Sequence, residues 1–256
     1  MKTYISKGTI CIKGPYHLVY AVCDLTYESH EDESFKYVFE PNYSVIALLD
    51  SSYFQGIPGL NLDLKEKEYI RVATPTFISE RVPSNKREDY ADLLAKAKMD
   101  YMDPIEYLIR SKDQYSGDLL FVKPFEDRKT VSFDDYKGNQ TNAALMKEIL
   151  SNLCLGNDVS INGQIIGDEN RKAFHDVFIN LYARSYNQNK EKQAKGIEKA
   201  KKEGSFKGRK PKRVDEMLFL DLLAKVGRKE ITPKEAARQL GITKAKYYRL
   251  KQQYQK

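Results

Sequence analysis

The sequence has no run of about 18 apolar residues, so no membrane-spanning helix is expected and no membrane partner is implied. Its start, Met1 to Gly8, carries lysines with no apolar stretch behind them. A signal peptide is therefore not expected, and the cytoplasm is the default compartment. Cysteine is scarce: Cys11, Cys23 and Cys154 are odd in number and show no Cys-x-x-Cys spacing, which argues against a disulfide framework or a zinc site. The three histidines, His17, His30 and His175, lack metal-like spacing too. Neither metal nor cofactor is expected.

Apolar residues make up 41% of the 256 and charged residues 31%, enough for a core and a solvated surface, at a length comfortable for two domains. The net charge of +7 is unevenly placed. Residues 190–256 hold 21 Lys/Arg against 8 Asp/Glu, a net of +13; residues 1–189 hold 22 against 28, a net of −6. An acidic front joined to a basic tail suggests two tasks, and the tail suits a polyanion.

The front is strand-rich. Residues 3–23 alternate in part and read as two strands around a Lys13-Gly14-Pro15 turn. Phe35 to Phe39 is a third strand, and Tyr43 to Leu49 a fourth or a short buried segment. Arg87 to Lys98 predicts a helix by the spacing of Tyr90, Leu93, Leu94 and Ala97. Asp103 and Pro104 suit the N-cap and first position of another. Leu119 to Val122 is a short strand, Pro124 to Asn139 a polar boundary, and Ala143 to Leu153 a helix. Asn157 to Gly167 has no assignment. Phe174, Val177, Phe178 and Leu181 form an apolar stripe on a helix that runs on into a basic stretch through Glu203. The stripe is a candidate dimer interface, and Lys195, Lys199 and Lys202 are candidate contacts to DNA phosphates.

In the tail, Gly204, Gly208 and Pro211 forbid a continuous helix. The extended arm carries Lys207, Gly208, Arg209, Lys210, Lys212 and Arg213, which suits a narrow minor groove. Asp215 to Val226 is a helix with Met217, Leu218, Leu220, Leu222 and Leu223 available to a core. Thr232 and Glu235 form a capping box around Pro233, opening a short helix. Gly241 supplies a turn, Ile242 an apolar plug, and Thr243 the cap of the last helix. There Lys244, Lys246, Tyr247 and Arg249 are expected to face DNA with Thr243, while Tyr248 and Leu250 pack. The result is a helix-turn-helix.

Glu191 to Gly204, followed by Phe206-Lys207-Gly208-Arg209-Lys210-Pro211, resembles the long helix and arm of serine recombinases of the resolvase/invertase family. The resemblance covers about residues 174–256. It implies a dimer along the long helix, an arm in the minor groove and a last helix in the major groove. It fails where the chemistry belongs. The N-terminal serine signature is absent, Ala183 to Asn187 replaces the family's Glu-x-Arg pair, and Lys192 stands where arginine is usual. Pro75 to Pro83, Asp103 to Ile109 and Tyr115 to Leu119 resemble the N-terminal subdomain of HipA-type toxin kinases, over roughly residues 5–125. This implies a module that contacts a protein partner. No kinase core follows. Asp118 and Lys123, with Asp63 and Glu66, faintly suggest a nuclease strand; a short strand with charged ends accounts for them.

The expected architecture is α+β: a strand-rich N-terminal domain with helices, a long connecting helix and a C-terminal three-helix helix-turn-helix domain. The expected parts are a sensor or interaction domain (1–125), a helical or irregular connector (126–168), a long helix (169–203), a basic arm (204–213) and the helix-turn-helix (214–256). The expected function is sequence-specific binding of double-stranded DNA by a homodimeric regulator without catalytic residues. The alternatives are a diverged serine recombinase, an antitoxin-like partner of a HipA-type kinase, and a metal-dependent nuclease.

Overall fold

The computed structural model describes residues 2–111, 117–134, 142–205 and 214–254. The chain is α+β and divides into two compact units, 1–191 and 192–256.

The first unit is built on a five-stranded antiparallel sheet. In chain order its strands are β1 (Thr3–Lys13), β2 (Val19–His30), β3 (Phe35–Pro41), β4 (Tyr69–Arg71) and β5 (Leu120–Pro124), in spatial order β4-β3-β2-β1-β5. Ile10, Cys11 and Ile12 are all at most 2% exposed. Successive strand residues point to opposite faces, so both faces of the sheet are covered here. That explains why the sequence alternates only in part. A bulge between Ile10 and Cys11 shifts the register with β2. Gly14 is needed at the β1–β2 turn because a Cβ there would lie 2.5 Å from the Tyr20 ring.

The segment after β3 is a short helix, α1 (Tyr43–Ile46), rather than a strand. Asn42 decides this, because its side chain accepts a hydrogen bond from the Val45 amide. Two more short helices follow, α2 (Thr76–Ser79) and α3 (Tyr90–Lys96). Then α4 (Pro104–Ser111) starts as its sequence indicates, with Asp103 accepting from the Glu106 amide at 2.8 Å. Its Ile105 and Leu108 are buried in the same core as Ile10, Phe39 and Phe77.

The span 126–168, expected to be a helical or irregular connector, contains a second sheet. Strand β6 (Thr130–Ser132) is joined by α5 (Asn142–Cys154) to β7 (Asp158–Ile161), which lies parallel to it; β8 (Gln164–Ile166) completes a hairpin. The hairpin turn is Asn162-Gly163, both at positive φ (51° and 76°), the pairing a tight two-residue turn requires. Asp134 accepts from the Gly163 amide, Ser160 and Ser132, and these bonds hold its carboxyl below the usual range.

Helix α6 (Asp168–Lys202) begins against this arrangement. Arg171, 1% exposed, donates to the carbonyls of Leu153, Gly156 and Asn157 and to Asp158 and Asp168. Leu153 lies in the last turn of α5, where carbonyls lack helical partners and the dipole favours a cation. Asp168 also accepts from Ser44 of α1 at 2.7 Å. One guanidinium thus ties α5, β7 and α6 together, and reaches α1 through Asp168. Four residues further on, His175 is buried with Nε2 3.1 Å from the Tyr20 hydroxyl. Phe178 packs into the core and Tyr182 meets the edge of the Tyr16 ring. The buried face is therefore 171, 175, 178 and 182. The sequence stripe is helical as expected, but only Phe178 of it belongs to this face. Phe174, Val177 and Leu181 remain exposed, roughly a quarter-turn away.

Two outcomes follow. Arg171→Met is expected to lower the stability of the chain to urea by about 1–3 kcal/mol, since it strands the buried carbonyls of Gly156 and Asn157; a loss under 1 kcal/mol would show that the network is incidental. Burial pushes the His175 pKa down, against the Asp176 carboxylate that raises it. The unfolded chain then takes up this proton first, so stability falls as pH drops below about 6.5. His175→Gln should flatten that part of the stability profile; identical slopes for the two chains would reject the assignment.

Candidate nucleic-acid interface

The second unit takes in the last part of α6, α7 (Glu216–Gly227), α8 (Pro233–Gln239) and α9 (Lys244–Tyr254). Each start is capped locally. Asp215 accepts from the Leu218 amide. Thr232 and Glu235 form the reciprocal capping box, with Pro233 at the first helical position. Thr243 Oγ1 accepts from the Lys246 amide at 3.3 Å. Between α8 and α9, Gly241 takes φ 59° and the Ile242 amide returns to the Ala237 carbonyl, which closes the turn.

The core of this unit is Phe219, Leu222, Ala236, Ala237 and Tyr247, with Leu223, Val226, Leu240, Ile242 and Leu250 packed around them. The two alanines leave room for the Tyr247 ring, whose centroid is 5.7 Å from that of Phe219. This corrects the expectation for α9. Tyr247 is fully buried and cannot meet DNA, whereas Tyr248 is 42% exposed. Tyr247 follows Thr243 by one helical turn and shares its face with Leu250 and Tyr254, and that face meets α7 and α8. On α7, Phe219 and Leu222 form the core, while Met217, Leu218 and Leu220 are exposed.

Around the buried ring, Thr243, Lys244, Tyr248 and Arg249 are exposed and Lys246 is half-buried. Neither Lys244 nor Arg249 enters an ion pair among the described residues. Together they offer an ammonium, a guanidinium and a phenol along one short helix, donors that suit phosphate oxygens or the O6/N7 edge of guanine. On α6, Lys195, Lys199 and Lys202 are exposed. Lys199 and Lys202 pair with Glu203 and Glu198 along the helix, contacts that salt and a competing polyanion readily replace. Gly204, at φ 66°, follows the helix end. The arm residues Lys207, Gly208, Arg209, Lys210, Lys212 and Arg213 lie outside the described residues.

The remaining candidates do not gather into a catalytic site. Asp118 is held by Arg81, whose guanidinium lies 4.2 Å from the centroid of the Phe77 ring and donates to the Phe77 carbonyl. No group of three His, Cys, Asp or Glu among the described residues could hold a metal. The three cysteines are free and buried, and burial pushes the thiols of Cys11 and Cys154 up to about 12, which makes them poor nucleophiles. No described helix is long and apolar enough to cross a membrane. The chain matches no protein-family model, no curated protein and no solved structure.

The Tyr247 hydroxyl is buried with no hydrogen-bond partner among the described residues. Tyr247→Phe should therefore hold or raise the melting temperature, while Tyr247→Ala should cost about 3–5 kcal/mol. A Phe variant that melts well below the wild type would place a partner on that hydroxyl.

Proposed function

We propose that the chain is a sequence-specific DNA-binding protein, a dimeric transcriptional regulator that reads DNA with α9 as the second helix of a helix-turn-helix and does not cut it. The observation that carries this reading is the exposed basic face of α9, Lys244 and Arg249 beside Tyr248, set on a rigid aromatic core. The +13 balance of residues 190–256 supports it, because neutralising phosphates and releasing counterions supplies affinity for any duplex. In this reading the arm at 204–213 lies in the minor groove, and Lys195, Lys199 and Lys202 approach phosphates. A second copy covers Phe174, Val177 and Leu181, three apolar side chains exposed on one stripe of α6. Phe178, already packed in its own core, has little left to give that interface.

The test is selection of bound duplexes from a random pool with the full chain, followed by magnesium. The expected result is a defined motif in two half-sites, recovered uncut. Arg249→Ala should cost about 1–3 kcal/mol and relax preference at one base pair, whereas Tyr247→Phe should leave preference unchanged. Arg209→Ala should weaken binding mainly at A·T-rich flanks. The absence of any enriched motif would overturn sequence-specific binding, and cut DNA would restore the recombinase reading.

A further inference from the structure

The central strand β1 is paired unequally along its two edges. Strand β2 pairs with it from Thr3 to Lys13, but β5 pairs only with Gly8–Ile12. Among the described residues, Thr3–Lys7 therefore has no strand on its second edge. The ladder stops at Lys7, whose ammonium lies over the Phe125 ring at 5.2 Å. Proteins usually blunt such an edge with charge, proline or a cover, because free amides and carbonyls recruit another strand. Here Lys7 is the one charged residue of the stretch, with its ammonium drawn over Phe125, while Tyr4 and Ile5 stand exposed at 60% and 59%.

A groove of about 740 Å³ opens at the same place. Tyr4 and Ser6 of β1 and Tyr27 of β2 line it from the sheet, and the segment 98–103 with the first turns of α4 lines it from the other side. Its charges are partly spent. Arg110 is held by Glu106 at 2.6 Å and by the Lys98 carbonyl at 2.7 Å. Asp103 accepts from Ser6 and from the Glu106 amide, both neutral donors. Among the described residues neither Asp100 nor Asp103 forms an ion pair. Tyr101 stands 75% exposed beside them. Lys98 lines the groove as well, so three carboxylates face two cations there, and tyrosine rings beside that net negative charge favour a cation.

We propose that this groove takes an extended peptide of a partner protein carrying lysine or arginine, which adds a strand along Thr3–Lys7. The backbone edge supplies affinity without regard to sequence. Alternate side chains of the peptide would face the tyrosines and Asp100, which supplies the preference for cations. Five residues of strand span about 17 Å, enough for a peptide of similar length to be held at both ends.

The probe is an acetylated, amidated nonapeptide alternating threonine with arginine, titrated into the full chain. Its controls are the threonine–glutamate counterpart and N-acetylarginine amide. The expected result is saturable binding of the arginine peptide alone, with slowed amide exchange confined within β1 to Thr3–Lys7. The exposed changes Asp100→Lys and Tyr101→Ala, combined, should weaken it at least tenfold without moving the melting temperature. Any of four results would overturn the proposal: no binding, equal binding of the glutamate peptide, equally tight binding of N-acetylarginine amide, or binding without protection of those amides. So would protection that rises with protein concentration in the absence of peptide, since a second copy would then occupy the edge.

Discussion

The first unit depends on one buried guanidinium. Arg171 is enclosed where the end of α5, the start of β7 and the first turn of α6 converge, and it donates to three carbonyls and two carboxylates. A planar fork with five donors can satisfy that many acceptors at once; an ammonium on a flexible stem cannot match the geometry. Gly156 belongs to the same arrangement. It takes φ +79°, and a Cβ there would lie 2.5 Å from the Asn42 amide and 2.8 Å from Arg128 Nε. The small sheet, the helix over it and the long helix are thus joined by polar geometry as well as by the apolar contacts of Ile149, Leu153, Val159 and Ile166.

The second unit is held differently, by ring packing. The Phe219 ring lies between those of Tyr254 and Tyr247, tilted to both, with centroids 5.3 and 5.7 Å away, and two alanines complete the core. Charge is kept on the outside, so the surface can be strongly basic while the interior stays apolar. This division of labour lets the proposed reading helix present donors on a scaffold that binding need not reorganise.

Local chemistry was legible in the sequence, and long-range pairing was not. The capping box at Thr232, the Asp103-Pro104 helix start and the turn at Gly241 each depend on residues within a few positions of one another, so they can be read without a fold. The second sheet was missed although Asn162-Gly163, flanked by Ile161 and Ile165, is a strong hairpin signal. Its β6 partner is three residues long and lies across a helix, so no local pattern announces it. The exchange of Tyr247 for Tyr248 is a different failure. Neighbouring tyrosines have equal propensity, and only the position of Phe219 decides which of them turns inward. The same holds for α6: the spacing of Phe174, Val177, Phe178 and Leu181 identified a helix, but the face it buries is chosen by Arg171 and His175, which hydropathy reads as surface residues.

The hydrogen bond between Tyr20 and His175 joins positions 155 residues apart. Closing so long a loop is slow, because its entropic cost is met before the contact returns anything. During synthesis, therefore, the central sheet emerges early yet cannot complete its core until the first half of α6 has left the ribosome. The acidic front half is therefore the part that most needs shielding while it waits.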